Sequence, residues 1–160
     1  MKHIIRSLAL LLALLTVTLA CGCGGEASSG YVFQAQNGTE IRIGALADTV
    51  IPKLGNYISM SESASCGGLP GNDRVYVYAG YRVKTTPAEG GDVVCQIELT
   101  DDSVKTPEGL YIGMPIADAH KAMGGKGNEL AMGSSYTKGG TKLQISVRDG
   151  AVFAIAYLEA

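Results

Sequence analysis

Few side chains in this sequence are of a type and spacing to do chemistry. Beyond the first stretch histidine occurs once, at His120. A general base needs a proton within hydrogen-bond reach and a partner that orients its ring. No Gly-x-Ser-x-Gly elbow supplies a nucleophile, so His120 is read as a solvent-facing residue of a short helix. Asp101-Asp102-Ser103 offers oxygen atoms, but lacks the alternating acids and closing Glu of a calcium loop. The stretch reads as a turn in which short polar side chains bond nearby backbone N–H groups. Tyr76 and Tyr78 share one face of a strand, either as an aromatic binding strip or as amphipathic rings at a sheet border. Catalysis is not expected, no cofactor is implied, and isolated cysteines with one histidine do not make metal-ligand spacing.

The strongest chemical signal lies near the start. Met1-Lys2-His3-Ile4-Ile5-Arg6 is basic, and an apolar run from Leu8 extends through Val17 and Leu19. That run is shorter than the roughly 20 residues a membrane-crossing helix needs. Basic, apolar and then small residues is the order of a secretory signal, so residues 1–20 are set aside as a signal peptide. Val17-Thr18-Leu19-Ala20-Cys21 resembles the lipobox of bacterial lipoproteins, with Thr18 where Leu is favoured and Cys23 as a rival acceptor. The resemblance implies a diacylglyceryl thioether on Cys21, carrying palmitate-class chains. Each buried CH₂ contributes about 0.8 kcal/mol, and two chains anchor where one is marginal. Residues 21–30 are rich in Gly and Ser and read as a flexible tether.

Residues 31–160 then form the folded domain, long enough for one core. Without Lys2 and Arg6 the basic count falls from 13 to 11 against 15 acids, leaving −4. An acidic domain without a basic stripe has no electrostatic footprint for nucleic acid. Export to an oxidising space makes Cys66 and Cys95 a candidate disulfide. It would close a loop of about 29 residues, contributing roughly 3.6 kcal/mol in the chain-entropy model. Free buried thiols are the alternative.

Residues 43–55 align with 112–124: both begin Ile-Gly and both end with Leu or Met before Gly. Each reads as a short helix, the first capped by Asp48 or Thr49 and both closed by glycine. Period-two alternation marks strands at Val93, Cys95, Ile97, Leu99 and at Leu143, Ile145, Val147. Asp149-Gly150 and Asn37-Gly38 are hairpin signals, and Gly80 separates strands at 74–79 and 81–85. The expectation is an α+β domain of two helix-plus-antiparallel-strand repeats, with halves of about 31–105 and 106–160. They would build one sheet with both helices on one face. Residues 59–74 read as an inserted loop, with Cys66, Leu69 and Pro70 as candidate interaction residues beside Tyr76 and Tyr78.

This pattern resembles the small outer-membrane assembly lipoproteins of the SmpA/OmlA type and the β-lactamase-inhibitor proteins. It is more similar to uncharacterised surface lipoproteins of Gram-positive gut anaerobes, on Ser65-Cys66, Tyr76-Val77-Tyr78, the segment 101–109, Ile112-Gly113, Tyr136 and Asp149-Gly150-Ala151-Val152. The resemblance implies a fold and an extracytoplasmic, lipid-anchored location, and carries over no catalytic residue. The functional expectation is a non-catalytic binding or protein-interaction module of the cell envelope, whose partner is an envelope protein or a ligand. An envelope hydrolase or an inhibitor of a secreted enzyme is the alternative. Cys21→Ala is expected to release the protein from the membrane fraction; unchanged retention would contradict the anchor.

Overall fold

The computed structural model describes residues 30–66 and 69–160. The expected signal peptide, Cys21 and nearly all of the tether lie outside the described residues. Among the described residues ten strands carry the fold: β1 (Phe33–Gln34), β2 (Glu40–Ile41), β3 (Ser59–Ala64), β4 (Asn72–Tyr78), β5 (Tyr81–Thr86), β6 (Val93–Leu99), β7 (Asn128–Leu130), β8 (Gly133–Lys138), β9 (Thr141–Arg148) and β10 (Ala151–Glu159). The first two pair with each other, and the other eight form one sheet in the order β3-β4-β5-β6-β10-β9-β8-β7. Neighbours run antiparallel throughout.

This overturns the expected α+β repeat, because strands dominate and helix is scarce. Helix α1 (Ala47–Val50) has four residues and runs into the 3₁₀ turn Ile51–Leu54, where Pro52 sits; α2 (Ile116–Ala122) has seven. Neither Asp48 nor Thr49 caps α1. Its N-cap is Leu46 without a side-chain bond, and the Thr49 hydroxyl donates back to the Leu46 carbonyl. Glycines at positive φ stop both segments, Gly55 at 81° and Gly124 at 76°. Helices of one or two turns cannot cover an eight-stranded sheet, so extended chain supplies most of the covering layer.

The two aligned Ile-Gly segments do dock alike. Gly44 N–H donates to Val94 at 2.8 Å, Val94 to Ala45 at 2.9 Å and Ala47 to Asp92 at 2.8 Å. In the same way Gly113 donates to Val152 at 2.7 Å, Val152 to Met114 at 2.8 Å and Ile116 to Gly150 at 3.0 Å. Both glycines sit at positive φ, 82° and 93°, which lets the chain turn onto the strand. The likeness is one of docking turns at the starts of β6 and β10, and it does not produce helix-and-sheet units.

One face of the sheet carries the core. Tyr81, Val83 and Thr85 of β5 are buried, as are Val94, Ile97 and Leu99 of β6, Leu143 and Ile145 of β9, and Val152, Ile155 and Tyr157 of β10. Phe33 closes it from above, its ring centroid 5.0 Å from Tyr81 and 5.8 Å from Tyr157. Val50 and Leu54, Val104 and Leu110, and Ala119 of α2 complete the layer. Two bulges interrupt the pattern, one between Val94 and Gln96 opposite Lys84 and Thr85, the other between Val152 and Ala154. Each re-phases its strand, so Cys95 leaves the row of Ile97 and Leu99.

Truncating a fully buried aromatic that joins two layers costs about 3–5 kcal/mol. Phe33→Ala is expected to lose that much in urea unfolding of the full chain. A loss below about 1 kcal/mol would show that the hairpin does not hold the core.

Candidate functional site

The two faces of the sheet beside β3 differ in chemistry. Register puts Met60 opposite Tyr76 and Glu62 opposite Arg74, on the covered face; Ser61 opposite Val75 and Ser63 opposite Asp73 belong to the open face. β3 ends the sheet order, so the main chain along its outer side lacks a strand partner among the described residues. The chain entering it exposes Tyr57 and Ile58, the latter 72% accessible, and Met60 follows. The Tyr57 ring meets Tyr76 edge-on at 5.5 Å. Together these side chains form an apolar strip on an edge strand.

Charge borders the strip. The Arg74 guanidinium bonds Glu62 at 3.3 Å and also Asp92, next to the start of β6. Beside it a cavity of about 410 Å³ is lined by Asp48, Ile51 and Pro52 on the helical side and by Arg74, Tyr76 and Asp92 on the sheet side. Arg74 thus lines the cavity with its guanidinium already paired to two carboxylates.

On the open face β4, β5 and β6 carry a polar ladder. Arg82 pairs with Glu98 at 2.7 Å and Lys84 with Asp73 at 3.0 Å. The Thr86 hydroxyl donates to Asp73 at 2.8 Å. Hydrogen bonds from Thr86, Lys84 and Ser65 hold the Asp73 carboxyl below its ordinary range, and its hydrogen bond raises Lys84 above the usual ammonium value. Such exposed pairs contribute little to stability, so the ladder orients side chains and keeps this face wet.

The expected site residues separate in space. Tyr76 lines the cavity, whereas Tyr78 is only 5% accessible and stacks on Tyr81, centroids 5.0 Å apart at 12°. Leu69, Pro70 and Cys66 are exposed in the β3–β4 loop, which Ala64 and Asn72 close, at the end of the strand pair far from Ile58. More than half of the expected 59–74 loop is strand. Tyr57, Ile58 and Met60 went unread, although Ile58, Met60 and Glu62 alternate with Ser59, Ser61 and Ser63 and carry the period-two signal of an edge strand. Both Cys66 and Cys95 are free thiols.

Two arrangements bring catalytic residue types together or in sequence spacing. His120 is half-buried rather than solvent-facing, its Nε2 3.1 Å from the Ser134 hydroxyl. Ser134 is 3% accessible, and among the described residues no carboxylate bonds the other ring nitrogen. Ser135 and Lys138 have Ser-x-x-Lys spacing, but a strand puts residues three apart on opposite faces. Asp101 Oδ1 accepts the Ser103 N–H at 2.9 Å, tying the turn. Among the described residues no three His, Cys, Asp or Glu side chains gather as metal ligands.

Tyr78 makes a pH-dependent prediction. Its hydroxyl is buried with no hydrogen-bond partner among the described residues, and burial pushes its pKa from 10.0 up to about 12. The folded state thus favours the neutral phenol: its contribution is whole below pH 10 and is lost as pH rises from 10 to about 12. Tyr78→Phe is expected to match or exceed the wild type in thermal melts at neutral pH and to flatten the alkaline decline. A loss above about 1 kcal/mol at neutral pH would reveal a bond to the hydroxyl.

No family model matches the chain, and no curated protein matches it. Among solved structures it is similar to an extracellular protein containing an SCP domain from Bacillus anthracis str. Ames, at 17% identity and a TM-score of 0.44. The likeness covers 89% of this chain and 50% of that one, so the chain spans about half the length of that protein.

Proposed function

We propose that the protein is a lipid-anchored, non-catalytic interaction module of the cell envelope, and that it binds through the β3 edge. The observation that carries this reading is the exposed apolar run of Tyr57, Ile58 and Met60 leading into β3, a strand without an outer neighbour among the described residues. Exposed apolar edges invite another strand, and proteins usually blunt them with charge. Here serines and a single Glu62 leave the edge open to an extended segment of a partner. Main-chain bonds would supply affinity, and alternate side chains would select: apolar ones against Ile58 and Met60.

The anchor follows from the N-terminal reading of Cys21, and the extracytoplasmic location from the signal sequence before it. The Ser134–His120 pair favours structure over catalysis, since a substrate cannot reach a hydroxyl so deeply covered.

Affinity capture from solubilised envelopes with the tagged full chain tests this. A partner held by the wild type is expected to be lost with Ile58→Asp or Met60→Asp and kept with Gln144→Asp on the open face. Retention in both edge variants would contradict the assignment.

A further inference from the structure

We infer that Cys66 and Cys95 form a thiol–disulfide site on the open face, with Cys66 the entering thiol and Cys95 the one that closes the bridge. Both approach the end of β5. Past β3 the hairpin ladder continues one step, Ser65 N–H donating to the Gly71 carbonyl at 3.1 Å, and the Ser65 hydroxyl lies 3.4 Å from that of Thr86. Cys66 follows the residue whose hydroxyl meets Thr86. From the other side, the β6 bulge turns Cys95 away from the core, and its Sγ donates to the Lys84 carbonyl at 3.4 Å. Lys84 and Thr86 are two residues apart on one face of β5, a step of roughly 7 Å.

The Lys84 ammonium, fixed 3.0 Å from Asp73, is an electrostatic neighbour of both sulfur atoms. The thiolate is the species that attacks a disulfide. Cys66 is exposed and Cys95 half-buried, and burial pushes the Cys95 thiol above its ordinary value. The order of reaction follows from that difference. The Cys66 thiolate attacks a low-molecular-weight disulfide, forming a mixed disulfide and releasing one small thiolate. Cys95 then loses its proton and attacks Cys66 Sγ, forming the protein disulfide and expelling the second small thiolate. Two cysteine thiols are oxidised, one small disulfide is reduced to two thiols, and both protons end on those. The product would pin the β3–β4 loop across β4 and β5. The inference stands apart from the β3 edge, so either can fail alone.

The full chain, extracted in detergent and reduced, would be treated with oxidised glutathione, alkylated and cut with trypsin. The expected product joins residues 54–74 to 85–105, with both free thiols lost and both restored by reductant. In Cys95→Ser, glutathione is expected to stay on Cys66. The inference is overturned if wild-type Cys66 keeps its glutathione while Cys95 is alkylated. A link from Cys66 to Cys23 or to a second chain would overturn it too.

Discussion

The ring of Phe33, packed against Tyr81 of β5 and Tyr157 of β10, closes a core that the helices are too short to close. An eight-stranded sheet with one apolar face must be covered, or its buried rows become an exposed surface of the kind that aggregates. Burial of one such ring contributes roughly 1.5–3 kcal/mol, and each tilted or edge-on aromatic pair about 0.5–1.5 kcal/mol more. The two strands it sits on flank β6, and β6 and β10 are where the two halves of the sheet join. A short hairpin that buries Phe33, Ala35 and Ile41 thus presses on the seam, and the open edges of the sheet extend outward from it.

That division of labour explains why the chemistry lies away from the core. The covered face is used up near the seam and runs out toward β3, where Tyr76 is half-covered and Met60 is exposed. Arg74, Glu62 and Asp92 take over where apolar cover ends. On the opposite face the bulges at Cys95 and Phe153 turn side chains outward that a regular strand would have buried. Phe153 finds Arg148 over its ring at 4.4 Å; Cys95 finds the backbone of Lys84.

Much of the strand content was legible, because Leu143 and Ile145 are buried in strict alternation and Asp149-Gly150 closes the hairpin that the dipeptide signals. The balance of helix and strand was not. A four-residue helix and an extended docking segment share the same apolar spacing over one turn, and only the bonds of Gly44 and Ala47 to β6 decide between them. Bulges are equally hidden: Cys95 reads in phase with Ile97 and Leu99 until an extra residue breaks the count. Tyr76 and Tyr78 were placed on the same face, but sequence does not say that Tyr81 covers the second ring. Nor does it show Ser134 beneath His120, since that contact joins an element 14 residues away.

The most direct test of the account is photo-cross-linking in living cells from the full-length protein, with the reactive group at position 60 or at position 144. The account predicts a discrete adduct with one envelope protein from position 60 and none from position 144. Adducts of equal yield from both positions, or a discrete adduct from position 144 alone, would contradict the β3 edge as the working surface.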